Sequence, residues 1–218
     1  MSFLMQNKLA LYYGNQLKHQ WKSEGKVTSV YGSTTLVVGL GDIGGEYARK
    51  MKALGSCVIG VRRKAGEKPD YLDELYTTEE LEKLLPRADF VALALPNTPE
   101  TKGIMTEERL RMMKRTAFLI NVGRGNAIDS EALNRVLRDG WLGGCAVDVT
   151  EREPLPEDHP LWDAPRMIIT PHIAGKFNLP ETFERIIRIA GENLEKFLAG
   201  ETCGMMSVVD LETGYRRR

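Results

Sequence analysis

Three glycines stand at the spacing G-x-G-x-x-G in Gly39-Leu40-Gly41-Asp42-Ile43-Gly44, directly after the β-branched run Thr35-Leu36-Val37-Val38. Between a strand and a helix, that spacing suits a dinucleotide. Gly39 permits the tight turn, Gly41 lets backbone approach a pyrophosphate, and Gly44 lets the helix pack closely on the strand. The helix N-terminus adds N–H groups and a positive dipole end for the phosphates. The adenosine ribose of such a ligand would lie at the end of the second strand, ~20 residues beyond the loop. There the chain reads Gly60-Val61-Arg62-Arg63-Lys64. No carboxylate is present to repel a 2′-phosphate, and the guanidiniums of Arg62 and Arg63 are able to bind one, which favours NADP over NAD. The alternative is that these are solvated loop charges and the ligand is NAD.

These residues need a sheet to hold them, and the pattern supplies one. After Thr35–Val38 the chain alternates a helix over 43–54, a strand over 57–61 and a helix opened by the capping box Thr77-Thr78-Glu79-Glu80. It continues with a strand over 90–95, a helix over 107–114, a strand over 117–121, a helix after Asp129-Ser130, and strands over 145–149 and 167–170. Asp129 reads as that helix's cap. Six strands separated by helices imply an α/β fold, a Rossmann-type doubly wound parallel sheet. In front of it, Met5, Leu9, Tyr12, Tyr13, Leu17 and Trp21 recur at helical spacing and predict one amphipathic helix from Met5 to Trp21. Behind it, a helix over 180–198 carries Phe183, Ile186, Ile187, Ala190, Leu194 and Phe197 on one face and stops at Gly200. The closing Arg216-Arg217-Arg218 reads as a solvated tail.

Composition narrows the setting. The 218 residues are 42% hydrophobic and carry 30 Lys+Arg against 30 Asp+Glu; with a mean hydropathy of −0.30 this is a globular composition. A net charge of zero removes the broad attraction to polyanions, so no nucleic-acid partner is expected. No apolar run approaches the ~18 residues that a membrane span needs, and the N-terminus lacks a secretion signal. Cys57, Cys145 and Cys203 are odd in number, lie far apart and form no metal-ligand cluster, so they read as reduced thiols in a cytoplasmic protein with no metal.

Three polar segments fall where later strands should end: Asn121-Val122-Gly123-Arg124-Gly125, Asp148-Val149-Thr150-Glu151-Arg152-Glu153-Pro154 and Thr170-Pro171-His172-Ile173-Ala174-Gly175. With the glycine loop, and in this order and spacing, they resemble the D-isomer-specific 2-hydroxyacid dehydrogenase family, which includes glyoxylate/hydroxypyruvate reductases and phosphoglycerate dehydrogenases. Leu95-Pro96-Asn97-Thr98-Pro99-Glu100-Thr101 and the ending from Val208 to Tyr215 also look like the family. The resemblance covers nearly the whole chain, and it implies an oxidoreductase that reduces a small 2-oxo acid, or oxidises a 2-hydroxy acid, with NAD(P).

The family's catalytic Arg, Glu and His map onto Arg124, Glu153 and His172. Hydride delivery to C2 builds charge on the carbonyl oxygen, and a histidine beside it is suited to donate the proton. A carboxylate on the other ring nitrogen fixes the tautomer and stabilises the imidazolium, which is the role implied for Glu153, whereas Glu151 has no motif match. Arg124 would clamp the substrate carboxylate with its rigid fork of donors. By the same carry-over, Asp42 and Ile43 should meet the pyrophosphate and ribose, Leu95 and Pro96 should line the path to the nicotinamide, and Val122, Gly123 and Asp148 should bracket it. Asp148 would either bond the carboxamide or serve as a strand-end turn carboxylate. Gly175 completes the implied cofactor set.

The resemblance divides the chain into a connecting helix (1–25), a Rossmann domain (26–178) and a C-terminal helix and tail from the substrate domain (179–218). The family's N-terminal substrate domain, typically ~100 residues, is expected to be missing here, which weakens turnover more than cofactor binding. A homodimer is expected through the apolar faces of the first helix and of residues 100–120. The rival reading is a catalytically inactive dinucleotide-binding module that acts as a cofactor sensor.

Overall fold

The computed structural model describes residues 1–175, 180–212 and 215. Seven parallel strands form one sheet in the order β3-β2-β1-β4-β5-β6-β7: β1 (Thr34–Val38), β2 (Cys57–Arg62), β3 (Glu74–Thr77), β4 (Phe90–Leu93), β5 (Phe118–Asn121), β6 (Gly144–Val147) and β7 (Met167–Ile169). Every ladder between neighbours is parallel, with Leu36 opposite Ile59 on one side and Val91 on the other. Chain order reverses between β1 and β4, which opens a crevice at their carboxyl ends, the place where doubly wound sheets bind ligands.

The strands are apolar on both faces because helices cover both. One core layer joins Leu36, Val38, Ile59, Val91, Leu93 and Leu119 to the helices α5 (Glu107–Met112) and α6 (Ser130–Arg138). The other joins Val37, Val58, Phe90, Ile120 and Ala146 to α3 (Asp42–Ala53) and to Met5 of α1 (Ser2–Gln6). Asp129 caps α6 by accepting from the Ala132 N–H at 2.9 Å. The Ser2 and Tyr47 hydroxyls lie 2.9 Å apart and tie α1 to α3, and burial pushes the Tyr47 phenol up to about 12.

Three expectations need correction. The predicted helix from Met5 to Trp21 is two helices, α1 and α2 (Leu9–Leu17), because Lys8 takes a left-handed conformation (φ 54°) between them and its ammonium bonds the Glu24 carbonyl. Tyr12 and Asn15 hold Glu24 as well, so the chain folds back on α2 and Trp21 is fully exposed. The strand β3 was not among the six expected. It is a half-buried edge strand whose Glu-Leu-Tyr-Thr lacks an apolar run, and Thr77 ends it while forming the capping box with Glu80. Residues 100–120 bury most of their apolar side chains, because Ile104, Met105, Leu110, Met113, Leu119 and Ile120 are all in the core, and Met112 is left exposed.

The short segment after the capping box is a 3-10 turn followed by α4 (Leu81–Leu84). The last helix, α7 (Pro180–Leu198), has the expected bounds, and its apolar residues Phe183, Ile186, Ile187, Leu194 and Phe197 remain exposed. The domain boundary at 178/179 and the Arg216–Arg218 tail lie outside the described residues.

Candidate active site at the carboxyl edge of the sheet

The glycine loop is built by close approach. Gly39 has φ +98°, and a Cβ there would lie 2.5 Å from the Ala94 carbonyl oxygen at the end of β4. A Cβ on Gly44 would lie 1.9 Å from the Gly39 carbonyl oxygen, so the first turn of α3 rests directly on the β1 turn. Gly41 differs, since among the described residues no atom comes within 4 Å of its Cβ position. It is the N-cap of α3 and makes no side-chain cap bond to the helix start. This open cradle at a helix N-terminus fits a pyrophosphate. Asp42 and Ile43 stand exposed on the first turn beside it.

At the end of β2 the two arginines part. Arg62 folds over its own loop, with Nη2 donating to the Glu67 carbonyl at 3.0 Å above Gly66. Arg63 stays exposed and stacks on Tyr215, its guanidinium carbon 3.9 Å from the ring centroid.

The edge continues without a break towards β7. A Cβ on Gly123 would sit 2.6 Å from the Leu95 nitrogen, and one on Gly125 would sit 1.9 Å from the Thr150 carbonyl carbon, so each loop lies against the next. Leu95 and Pro96 are half-buried between them, and the Val122 N–H donates to the Leu93 carbonyl. Buried Asn121 shapes this loop: its Oδ1 accepts from Gly123 N–H at 3.0 Å and its Nδ2 donates to the Arg124 carbonyl at 3.0 Å.

His172 and Glu153 meet, Nδ1 to Oε2 at 2.7 Å. Glu153 is itself held, since its Oε1 accepts from Thr150 N–H at 3.2 Å. The contact directs Nδ1 at the carboxylate and leaves Nε2 on the opposite side of the ring. Arg124 is exposed and its Nη1 donates to the Gly123 carbonyl at 2.8 Å. Its loop joins the edge, yet its guanidinium bonds neither His172 nor Glu153.

His172 occupies the left-handed region (φ 55°), which a residue with a Cβ enters at a cost of about 1–3 kcal/mol. Asp148 supplies what holds it there. The Asp148 carbonyl accepts from His172 N–H at 2.8 Å. Its buried carboxylate takes Thr170 Oγ1 (2.5 Å) and Ile173 N–H (2.9 Å) on Oδ1, and Ala174 N–H (2.8 Å) on Oδ2. Of the two roles open to Asp148, the geometry realises the turn carboxylate, clamping the histidine loop from both sides. Gly175 follows the clamp, with no atom of the described residues near its Cβ position.

Residues 1–174 match the family model described as D-isomer specific 2-hydroxyacid dehydrogenase, NAD binding domain. The chain belongs to this family. It is 42% identical over 175 residues to a glyoxylate reductase of Korarchaeum cryptofilum, covering 79% of this chain and 51% of that protein. It therefore spans about half the length of the curated relatives it matches. A glyoxylate/hydroxypyruvate reductase of Sinorhizobium meliloti, NADPH-dependent and solved with NADP and sulfate, superposes with a TM-score of 0.86 at 29% identity, covering 98% of this chain and 66% of that one. A D-isomer specific 2-hydroxyacid dehydrogenase family protein of Aeromonas salmonicida gives 0.81 at 37% identity, covering 91% and 62%.

As a NAD-binding domain of this family, the chain carries two residues that sequence motifs placed in the neighbourhood without assigning them work: Asn121 and Thr170. The signal for Asn121 is a polar residue at a strand's carboxyl end that can bond backbone two or three residues on, whereas Thr170 bonds the distant Asp148 carboxylate and carries no local signal. Among the described residues no three His, Cys, Asp or Glu gather as metal ligands, and no helix is long and apolar enough to cross a membrane.

Proposed function

We propose that this chain forms the nucleotide-binding and acid–base part of an NADPH-dependent reductase of small 2-oxo acids. The observation that carries this reading is the continuous edge from Gly39 through Leu95, Gly123, Gly125 and Thr150 to the Glu153–His172 pair. Gly41 and the start of α3 hold the pyrophosphate, and Arg63 takes the 2′-phosphate. A bound nicotinamide supplies the hydride.

Glu153 keeps the proton on Nδ1 of His172 and stabilises the imidazolium, so that Nε2 donates its proton to the carbonyl oxygen as charge develops there. Arg124 swings from the Gly123 carbonyl to clamp the substrate carboxylate, exchanging a neutral acceptor for a charged one. Asp148 holds the histidine loop in register. Exposed Leu9, Leu11, Tyr13 and Leu17 on α2 support assembly with a second copy of this chain, and three unpaired cysteines support a reducing, cytoplasmic setting.

The test is NADPH oxidation followed by absorbance with glyoxylate or hydroxypyruvate. The expected result is turnover that falls roughly 10²- to 10⁴-fold in His172→Ala, with the NADPH Kd unchanged. NADPH bound tightly but never oxidised, by either form, would instead favour a cofactor-sensing module.

A further inference from the structure

The chain's last described residue reaches back to the adenosine end of the site. Tyr215 is 117 positions beyond Thr98, yet the two hydroxyls lie 3.2 Å apart, and the Tyr215 carbonyl accepts from Asp210 N–H at 2.8 Å. Thr98 is buried and anchored in the turn after β4: its N–H donates to Thr101 Oγ1 at 3.0 Å, and that hydroxyl donates to the Pro96 carbonyl at 2.7 Å. Tyr215 is thus held through its hydroxyl and through its backbone carbonyl. On its face lies Arg63, one of the two arginines at the end of β2.

We propose that Tyr215 is a positioning residue for NADP, its ring holding the Arg63 guanidinium at the site where a 2′-phosphate would be recognised. The proposal rests on the NADPH reading above. A guanidinium stacked on an aromatic ring uses its flat face and keeps its in-plane N–H donors free for a phosphate. Arg62 is half-buried and folded back over its own loop, its Nη2 on the Glu67 carbonyl, whereas Arg63 stands exposed.

The experiment measures Kd for NADPH and for NADH by calorimetry on the full 218-residue chain and on Arg63→Ala, Tyr215→Ala and Tyr215→Phe. Arg63→Ala should weaken NADPH roughly ten-fold or more and leave NADH within about two-fold. Tyr215→Ala should weaken NADPH about two- to five-fold, the range of an exposed cation–π contact, again sparing NADH, whose unchanged Kd reports an intact fold. Tyr215→Phe keeps the ring and should keep the preference. The proposal is overturned if Tyr215→Ala leaves NADPH binding unchanged, weakens both cofactors equally, or is matched by Tyr215→Phe. An Arg63→Ala effect without a Tyr215→Ala effect removes the tyrosine's role and leaves the NADPH reading standing. No effect of Arg63→Ala on the NADPH/NADH ratio removes both.

Discussion

Between β1 and β4 the carboxyl edge takes its shape from atoms that are absent: a Cβ on Gly39 or Gly44 would stand within 2.5 Å of a backbone oxygen. Between β5 and β7 the same edge adds to its close glycines Gly123 and Gly125 a set of acceptors that are present: the Asn121 amide shapes its own loop, and the Asp148 and Glu153 carboxylates bond the loop that carries His172. Gly39 and Gly44 of the first region tolerate no added atom, and the second region tolerates no lost acceptor. The division follows the ligand's parts. A pyrophosphate needs backbone at close range, whereas a proton donor needs one ring held in one orientation.

Adding volume at the first region should have the largest effect on stability. Gly44→Val forces three carbons into a gap already closed to one, and α3 must lift from β1. The expected loss is about 3 kcal/mol or more in denaturant unfolding. A loss near zero would mean that α3 does not rest on the loop as described.

Removing the acceptor at the second region comes next. Asp148→Ala strips charge-assisted bonds from the half-buried Thr170 hydroxyl and from the Ile173 and Ala174 N–H groups, and should cost about 2–3 kcal/mol. Its signature is local: amide exchange should quicken at Ile173 and Ala174 while the first turn of α3 stays protected. Equal loosening of both ends would erase the contrast between them.

How far each region was legible follows from the same contrast. The glycine spacing lies within six residues and its physics is local, so the cradle and the strand-to-helix turn were readable directly. The alternation of β-branched runs and helical periods likewise gave all the buried strands. β3 escaped because an edge strand of Glu74, Leu75, Tyr76 and Thr77 has no two-sided burial to declare itself. The break at Lys8 escaped because the apolar period of helices α1 and α2 runs through it, and the interruption comes from a contact with Glu24.

At the second region the motif resemblance supplied the Glu153–His172 pair, and the structure brings the two together. The bracing by Asp148 was open between two roles. A carboxylate at a strand end looks alike in sequence whether it faces a ligand or the 173–174 backbone, and the choice is made by bonds spanning more than twenty positions. Tyr215 on Arg63 was beyond reach for the same reason.

The smallest effect on stability belongs to the position where the two regions can be separated most cleanly. Gly41 has open space around its Cβ position and caps α3, and aspartate is a favoured helix cap, so Gly41→Asp should leave the unfolding free energy within about 1 kcal/mol. The new carboxylate would stand where the pyrophosphate belongs. The most direct measurement is therefore a calorimetric titration of the full chain and of Gly41→Asp with NADPH, beside a thermal melt of each. The expected result is one saturable site in the parent chain and no measurable binding in the variant, at an unchanged Tm. NADPH binding of equal strength in both would contradict the assignment of this edge as a dinucleotide cradle.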